Sequence, residues 1–407
     1  MKILSANKFY YVFGGSDRYF FELNKLHQQA GHEIVPFAMA HPKNLPSPYE
    51  SFFVSEVNYW DNPSLGQKMR AAGRVLYSRE ARQKIGQLLQ QTQPDIAHVH
   101  LIYHQISPSI LLALKDFGLP IIQTLHDYKP ICPTYSFVAS GRICERCLGG
   151  KFYQAALQKC NHDSLMSSTL SAIEMYLHHS LGWYDLPDMY ITPSNFMRQK
   201  MMEFGLPGEK LIHIANFVDA SQYAFSPTHS GYFVYLGRLT SIKGVHTLLI
   251  AMSKLKSRHA RLLIIGDGPQ RAELEALKVQ LGLHNVEFCG YQTADALSQL
   301  LAQALFNILP SECYENCPMS VLEMMAFGKP TIGADIGGIP ELIQHDETGF
   351  LFESGNAEDL AQKIDQMLSS YSKIQIMGEQ ARQLAEEKYS PQTHYQQILS
   401  VYHQFLS

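Results

Sequence analysis

Short apolar runs alternate along the chain with longer segments whose apolar positions recur every three or four residues. The runs at 3–6, 33–37, 95–100, 120–125, 189–192 and 211–215 have the length and residue content of strands. Segments 17–30, 79–91, 108–117 and 196–204 between them carry a helical period. The alternation then restarts. Strands are predicted at 232–236, 261–265, 286–289, 305–309 and 330–333, and helices at 244–255, 270–281, 294–304, 319–327 and 357–368. Strands that alternate with helices pair in parallel, because each crossover returns the chain to the starting edge of the sheet. Between the two series, residues 219–231 are polar, hold Pro227 and Gly231, and show no period, which marks a linker.

The expected architecture is therefore α/β, with two Rossmann-like, doubly wound domains in tandem. The first is assigned to 1–220 and the second to 221–389. The first also carries a loop at 132–160 with four cysteines and a helical insertion at 161–185. Leu165, Ile173, Met175, Tyr176, Leu177, Leu181 and Trp183 mark that insertion as a helix packed on its own domain. Doubly wound sheets bind ligands beyond the carboxyl ends of their strands, so two of them facing each other would form an interdomain cleft.

Composition narrows the function. The net charge of −4 argues against nucleic-acid coating, and no stretch of eighteen apolar residues offers a membrane span. The first apolar run is too short for a signal core, so a cytoplasmic protein is expected, and seven cysteines argue against a disulfide framework.

The most informative stretch is Glu315-Asn-Cys-Pro-Met-Ser-Val-Leu-Glu323. Pro318 suits the first turn of a helix, and Gly328 with Pro330 marks its end. Glu315 then sits in the loop before the helix and Glu323 on its second turn. The amides of Met319 and Ser320 open an anion-attracting mouth between two carboxylates. Such a mouth suits a ligand that is anionic and rich in hydroxyls, although two glutamates eight apart are common. In Gly237-Arg-Leu-Thr-Ser-Ile-Lys-Gly244, Arg238 and Lys243 fall where a strand gives way to a helix, and two cations there would neutralise a diphosphate leaving group. Gly266-Asp-Gly268-Pro269 and Gly14-Gly15-Ser16 also open helices and could let backbone approach phosphate. No G-x-G-x-x-G pattern follows the first strand, which weakens a dehydrogenase reading.

His126-Asp127-Tyr128 lies at another strand's carboxyl end. His98, His100 and His104 cluster at a third; alternation places His98 and His100 on one face and leaves His104 unplaced, so buried or cleft-lining histidines are preferred to a metal site. Cys132, Cys144, Cys147 and Cys160 follow the order Cys-x11-Cys-x2-Cys-x12-Cys, which fits four thiolates around a structural zinc. An iron–sulfur cluster, free thiols and disulfides are the alternatives.

Taken together, Glu315-x7-Glu323, Gly237-Arg238 with Lys243-Gly244, Gly14-Gly15 and His126-Asp127 resemble the retaining glycosyltransferases of family 4, which have the GT-B fold. Thr192-Pro-Ser-Asn-Phe196, Ile214-Ala-Asn-Phe-Val-Asp219 and Gly337-Gly-Ile-Pro-Glu341 are similar to that family as well, and the likeness covers nearly the whole chain. It implies a nucleotide-diphosphate sugar held mainly by the second domain, with no metal needed for catalysis. Arg238 and Lys243 would hold the diphosphate, Glu323 the ribose and Glu315 the transferred sugar. The amides of Asn316, Cys317, Pro318's neighbours Met319 and Ser320 would position sugar and phosphate. Gly15 would approach the diphosphate, the loop around Cys289-Gly290-Tyr291 would meet the base, and His126 would contact the sugar near its reacting face. The final helix, 390–407, would cross back to the first domain. Family members often have Gly-Phe where this chain has Asn316-Cys317, a departure beside the sugar.

The function expected is transfer of a hexose-type sugar from a UDP-sugar, or a GDP-sugar, to a glycan or lipid-linked hydroxyl. A sugar-nucleotide epimerase and a non-catalytic sugar-nucleotide-binding partner are the alternatives. Arg70, Arg74, Arg79, Arg82 and Lys84 form a basic stretch that could approach anionic lipid at the inner face of a membrane.

Overall fold

The computed structural model of the protein describes residues 1–57, 72–225 and 229–406. Its contacts divide the chain into two compact units: Met1–Ser140, Cys144–Ile214 and Tyr395–Ser407 form the first, and Gly141–Ile143 with Ala215–His394 form the second.

Each unit is built on a six-stranded parallel sheet. In the first, β1 (Lys2–Ala6), β2 (Glu33–Phe37), β3 (Ile96–Val99), β4 (Ile121–Thr124), β5 (Met189–Thr192) and β6 (Leu211–His213) stand in the order β2-β1-β3-β4-β5-β6. In the second, β7 (Tyr232–Leu236), β8 (Arg261–Ile265), β9 (Val286–Gly290), β10 (Asn307–Leu309), β11 (Thr331–Ala334) and β12 (Gly349–Phe352) stand in the order β9-β8-β7-β10-β11-β12. The doubly wound α/β expectation holds in both.

The central strands are buried on both faces, so their sequences read as continuous apolar runs. Successive residues still point to opposite sides: Phe233 and Tyr235 of β7 enter one core cluster, and Tyr232 and Val234 enter the other. Helices α1 (Gly15–Gln29), α2 (Arg79–Thr92), α3 (Ser109–Asp116), α4 (Leu165–Ser180) and α5 (Asn195–Glu203) belong to the first unit. The second contains α6 (Val245–Lys254), α7 (Arg271–Gln280), α8 (Ala294–Ala302), α9 (Met319–Ala326), α10 (Ala357–Leu368) and α11 (Tyr371–Glu387). The last helix, α12 (Pro391–His403), begins in the second unit and continues in the first. Within the first unit, its Tyr402 is fully buried and its hydroxyl lies 2.6 Å from His98 Nδ1.

Two elements have no counterpart in the hydrophobic pattern. Strand β12 is only four residues long. Helix α11 buries Ile374, Met377, Gly378, Ala381 and Ala385, mostly small residues that make a weak apolar stripe. Smallness has a cause there, because a Cβ on Gly378 would lie 2.1 Å from the Gly328 carbonyl oxygen.

Helix α4 departs from expectation in its orientation. Met175 and Trp183 are buried, but Leu165, Ile173, Tyr176 and Leu181 are exposed. The buried face instead carries Ser168, Ser171, Ala172, Glu174 and His178. The physical reason is a charge. Glu174 is fully buried, and its Oε2 accepts from Lys129 Nζ at 2.6 Å, with His104 Nε2 3.3 Å away. A buried carboxylate with an ammonium partner cannot turn outward without leaving that ammonium in the interior uncompensated. Among the described residues, no helix is long and apolar enough to cross a membrane.

Glycine positions give a matched pair of expectations. Gly86 lies inside α2 with open space around it. Gly86→Ala should stabilise the protein by about 0.5–1 kcal/mol through lower unfolded-state entropy. Gly378→Ala should destabilise it by about 1–3 kcal/mol through overpacking. Urea denaturation midpoints of the two variants will show the opposite signs.

Candidate active site

All six strands of the second unit run in parallel, so the loops that follow them emerge at one edge. Backbone hydrogen bonds tie these loops to one another. Leu239 N donates to Asp267 O at 2.9 Å, Gly266 N to Gly290 O at 2.9 Å, Glu312 N to Ile242 O at 2.8 Å, and Gly338 N to Glu315 O at 2.7 Å. Two glycines make this closeness possible. A Cβ on Gly244, which has a φ of +66°, would lie 1.8 Å from Pro310 O, and one on Gly268 would lie 2.3 Å from Leu239 O.

Within this frame Lys243 Nζ meets Glu315 Oε1 in an ion pair. Ser311 Oγ donates to the same carboxylate oxygen at 2.7 Å. Burial raises the Glu315 carboxyl, but the Lys243 ammonium and the Ser311 hydroxyl outweigh it and hold the group below the usual carboxylate range. Burial lowers Lys243, and the Glu315 carboxylate more than restores it, so the net shift is upward. Both groups are charged at neutral pH. The sequence singled out Lys243 and Glu315 as separate candidates. The third member, Ser311, was missed, since a lone serine after a strand carries no spacing signal.

The helix after Glu315, α9, begins at Met319, where its predicted span of 319–327 begins. Pro318 occupies the position before the first turn, in extended conformation. The Pro318 carbonyl accepts from Val321 N at 3.1 Å. Met319 and Ser320 open the helix, with no preceding turn to accept from their amides. Glu323 is buried on the second turn. Cys317 packs into the core, and its carbonyl accepts from Asn216 Nδ2 at 3.1 Å, while Asn316 beside it is partly exposed. Arg238 is exposed and makes no ion pair among the described residues. Tyr291, beyond Gly290, is 86% exposed.

In the first unit, Gly14 and Gly15 are exposed at the start of α1. Asp17 partly occupies this turn itself: its carboxylate accepts from Gly14 N at 3.0 Å and Asn7 Nδ2 at 2.9 Å. Burial raises the Asp17 carboxyl above its usual value. His126 follows β4 and is partly exposed. Burial first, then the Lys8 ammonium, lower its imidazole to about 3, so it is neutral at physiological pH.

Two further expectations concern the cysteines and the basic stretch. Burial first, then the neighbouring thiols, push Cys147 up to about 12 and Cys160 up to about 11. Cys132 and Cys144 are, like them, free thiols. Yet among the described residues no three His, Cys, Asp or Glu side chains converge as a metal site would require. The structure therefore gives a structural zinc no support. Several cations of the basic stretch are paired with carboxylates of their own unit. Arg74 is paired with Glu80 at 2.6 Å, Arg82 with Asp116 at 2.6 Å, and Lys84 with Glu80 at 3.6 Å. Arg79 is exposed, and Arg70 lies outside the described residues.

Two parallel doubly wound α/β units are the architecture of the GT-B glycosyltransferase fold. Residues 13–222 match the model of Glycosyltransferase Family 4 and residues 221–384 that of Glycosyl transferases group 1, and the chain belongs to glycosyltransferase family 4. It is 27% identical to the N-acetyl-alpha-D-glucosaminyl L-malate synthase of Bacillus anthracis, over 100% of this chain and 98% of that protein. It is 37% identical to a sulfoquinovosyl transferase of Arabidopsis thaliana, over 72% of this chain and 54% of that one. HepE of Anabaena, solved in complex with UDP, shares the fold with a TM-score of 0.69 at 20% identity, covering 99% of this chain and 100% of its own. Sucrose-phosphate synthase of Thermosynechococcus elongatus does so with a TM-score of 0.73 at 17% identity, covering 99% and 98%.

The Lys243–Glu315 pair sets a pH-dependent expectation. A carboxyl held low in the folded state adds stability that is present above its unfolded value, near 4.5, and is lost as pH falls through its folded value. Lys243→Met should therefore cost about 1–3 kcal/mol at pH 7, where Glu315 is left charged without its partner. The gap from the parent protein should narrow as the pH is taken below the ordinary carboxylate value of 4.5 and the carboxyl protonates. Urea unfolding of both proteins at a series of pH values measures this.

Proposed function

We propose that this glycosyltransferase moves a hexose-type sugar from a UDP-sugar to a hydroxyl of a glycan or lipid-linked acceptor, with retention at the anomeric carbon. The observation that carries the reading is the Lys243–Glu315–Ser311 cluster at the strand ends, one loop from the exposed Arg238 and just before the first turn of α9. A diphosphate needs fixed positive charge as its bond to the sugar breaks, and Arg238, Lys243 and the opening amides of α9 offer it without proton transfer. Glu315 and Glu323 are the acceptors for sugar and ribose hydroxyls. Gly268, Asn316, Cys317 and Pro318 form the walls through their backbone, and Tyr291 offers a ring to the base. In the first unit, taken by itself, the Gly14-Gly15 turn suits a phosphate oxygen and the neutral His126 suits a hydrogen bond to a sugar hydroxyl.

In the reaction so assigned, the bond from the anomeric carbon to the diphosphate oxygen breaks and the acceptor oxygen bonds on the same face. The acceptor proton passes to the departing phosphate oxygen, and UDP leaves. No side-chain nucleophile is required. UDP is preferred to GDP because Anabaena HepE has been solved with UDP and with UDP-glucose. The setting proposed is the cytoplasm, with the acceptor presented there or at the inner face of a membrane.

Thermal unfolding with UDP, GDP, ADP and CMP tests the donor assignment. A ligand that binds only the folded state stabilises it by about 2.7 kcal/mol at a hundredfold excess over its Kd. UDP should give the largest shift, and Glu315→Ala should abolish transfer from the cognate sugar nucleotide while leaving the far-UV spectrum unchanged. Turnover of the sugar nucleotide without acceptor, releasing free epimerised sugar, would favour the epimerase instead. Near-parental transfer by Glu315→Ala would remove Glu315 from the reaction.

A further inference from the structure

His126 does not stand alone behind its exposed edge. His100, which follows β3, is buried, and its Nδ1 lies 3.1 Å from His126 Nε2. The two ring planes differ by 20° and their centroids are 5.4 Å apart, as a hydrogen bond lying in the plane of both rings requires. His98 covers one face of His100 at 4.4 Å, and Phe20 meets it at 84° and 5.2 Å. His98 is itself held at both nitrogens, by the Tyr402 hydroxyl at 2.6 Å and by Thr124 Oγ1 at 2.7 Å. His100 Nε2, buried between these groups, has no hydrogen-bond partner among the described residues.

Proton counting then decides more than the distances do. Burial, with the neighbouring histidines, pulls His100 well below the ordinary histidine range, and His126 is lowered as well. Each ring therefore carries one proton, and one of the two must lie between His100 Nδ1 and His126 Nε2. If His126 donated it, the proton of His100 would be stranded on the buried Nε2 as an N–H without an acceptor, and orphaned buried N–H groups are rare. If His100 donates, its Nε2 is a bare lone pair, and the proton of His126 is displaced to Nδ1. Which nitrogen of a histidine is protonated is set by the bond its other nitrogen makes.

We propose that His100 is a positioning residue that locks His126 in the Nδ1–H tautomer, so that His126 presents a hydrogen-bond donor, not an acceptor, from its Nδ1. The inference deepens the reading of His126 as a sugar-contacting group: a donor at Nδ1 would be aimed at an oxygen of the substrate, and its direction would be fixed before substrate arrives. His100 itself touches no substrate.

The test is nitrogen-15 NMR of the histidine rings in the whole protein, which reads the tautomer without any assay. The parent protein should show His126 protonated at Nδ1 and His100 at Nδ1. In His100→Phe, which keeps a flat ring and removes the donor, His126 should shift toward the Nε2–H form. That variant's kcat with the sugar nucleotide should fall about ten- to a hundredfold with KM for the donor little changed. His100→Asn places an amide near the position of Nδ1 and should restore part of both signals. His126 protonated at Nε2 in the parent protein would overturn the proposal, as would an unchanged His126 tautomer in a folded His100→Phe variant. A confirmed Nδ1–H tautomer in a protein with no transferase activity would leave this inference standing and sink the proposed reaction, so the two failures are distinguishable.

Discussion

The parallel direction of the strands is the constraint on which the second unit's site depends. It sends the segments after β7, β8, β10 and β11 to one edge, where hydrogen bonds between their backbones leave no room for side chains at Gly244 and Gly268. The Lys243–Glu315 pair is set into that frame. Both side chains are only partly exposed, and each favours the charged form of the other. A preformed ion pair is also poised for exchange: an anionic, hydroxyl-bearing ligand can take over each partner's interactions without creating a new buried charge.

The first unit solves a related problem with neutral groups. Its polar interior near His126 is a set of rings, with His98 and His100 stacked and Tyr402 bonded to His98. Burial keeps His100 and His126 uncharged, so what must be arranged is the position of protons. Tyr402 brings the last helix into that arrangement. A second buried cluster, Lys129 with Glu174 and His104, fastens the segment after His126 to helix α4. Here an ion pair is buried, and burial of the carboxylate dictates which face of α4 turns inward, against the helix's own apolar preference.

Much of this was written in the local pattern. Runs such as 232–236 and 261–265 could only be buried parallel strands once helical periods were seen between them, so the α/β class followed from periodicity alone. The spacing of Glu315 and Glu323 around Pro318 likewise fixed a carboxylate before a helix and another on its second turn, because a helix start is a local property of a few residues. Strand β12 and helix α11 were not legible. Helix α11 buries mostly small residues that fit a neighbouring backbone, and hydrophobicity does not register fit.

Pairings across long sequence separation were decided only by the tertiary structure. Nothing in the chain says that Lys243 faces Glu315, seventy-two positions away, or that Ser311 completes the pair. Nothing local says that Glu174 is buried or that His100 meets His126 edge to edge. Periodicity reports which residues leave water. Which buried polar groups become partners depends on how the loops at the strand ends close on one another, and that is fixed by three-dimensional packing.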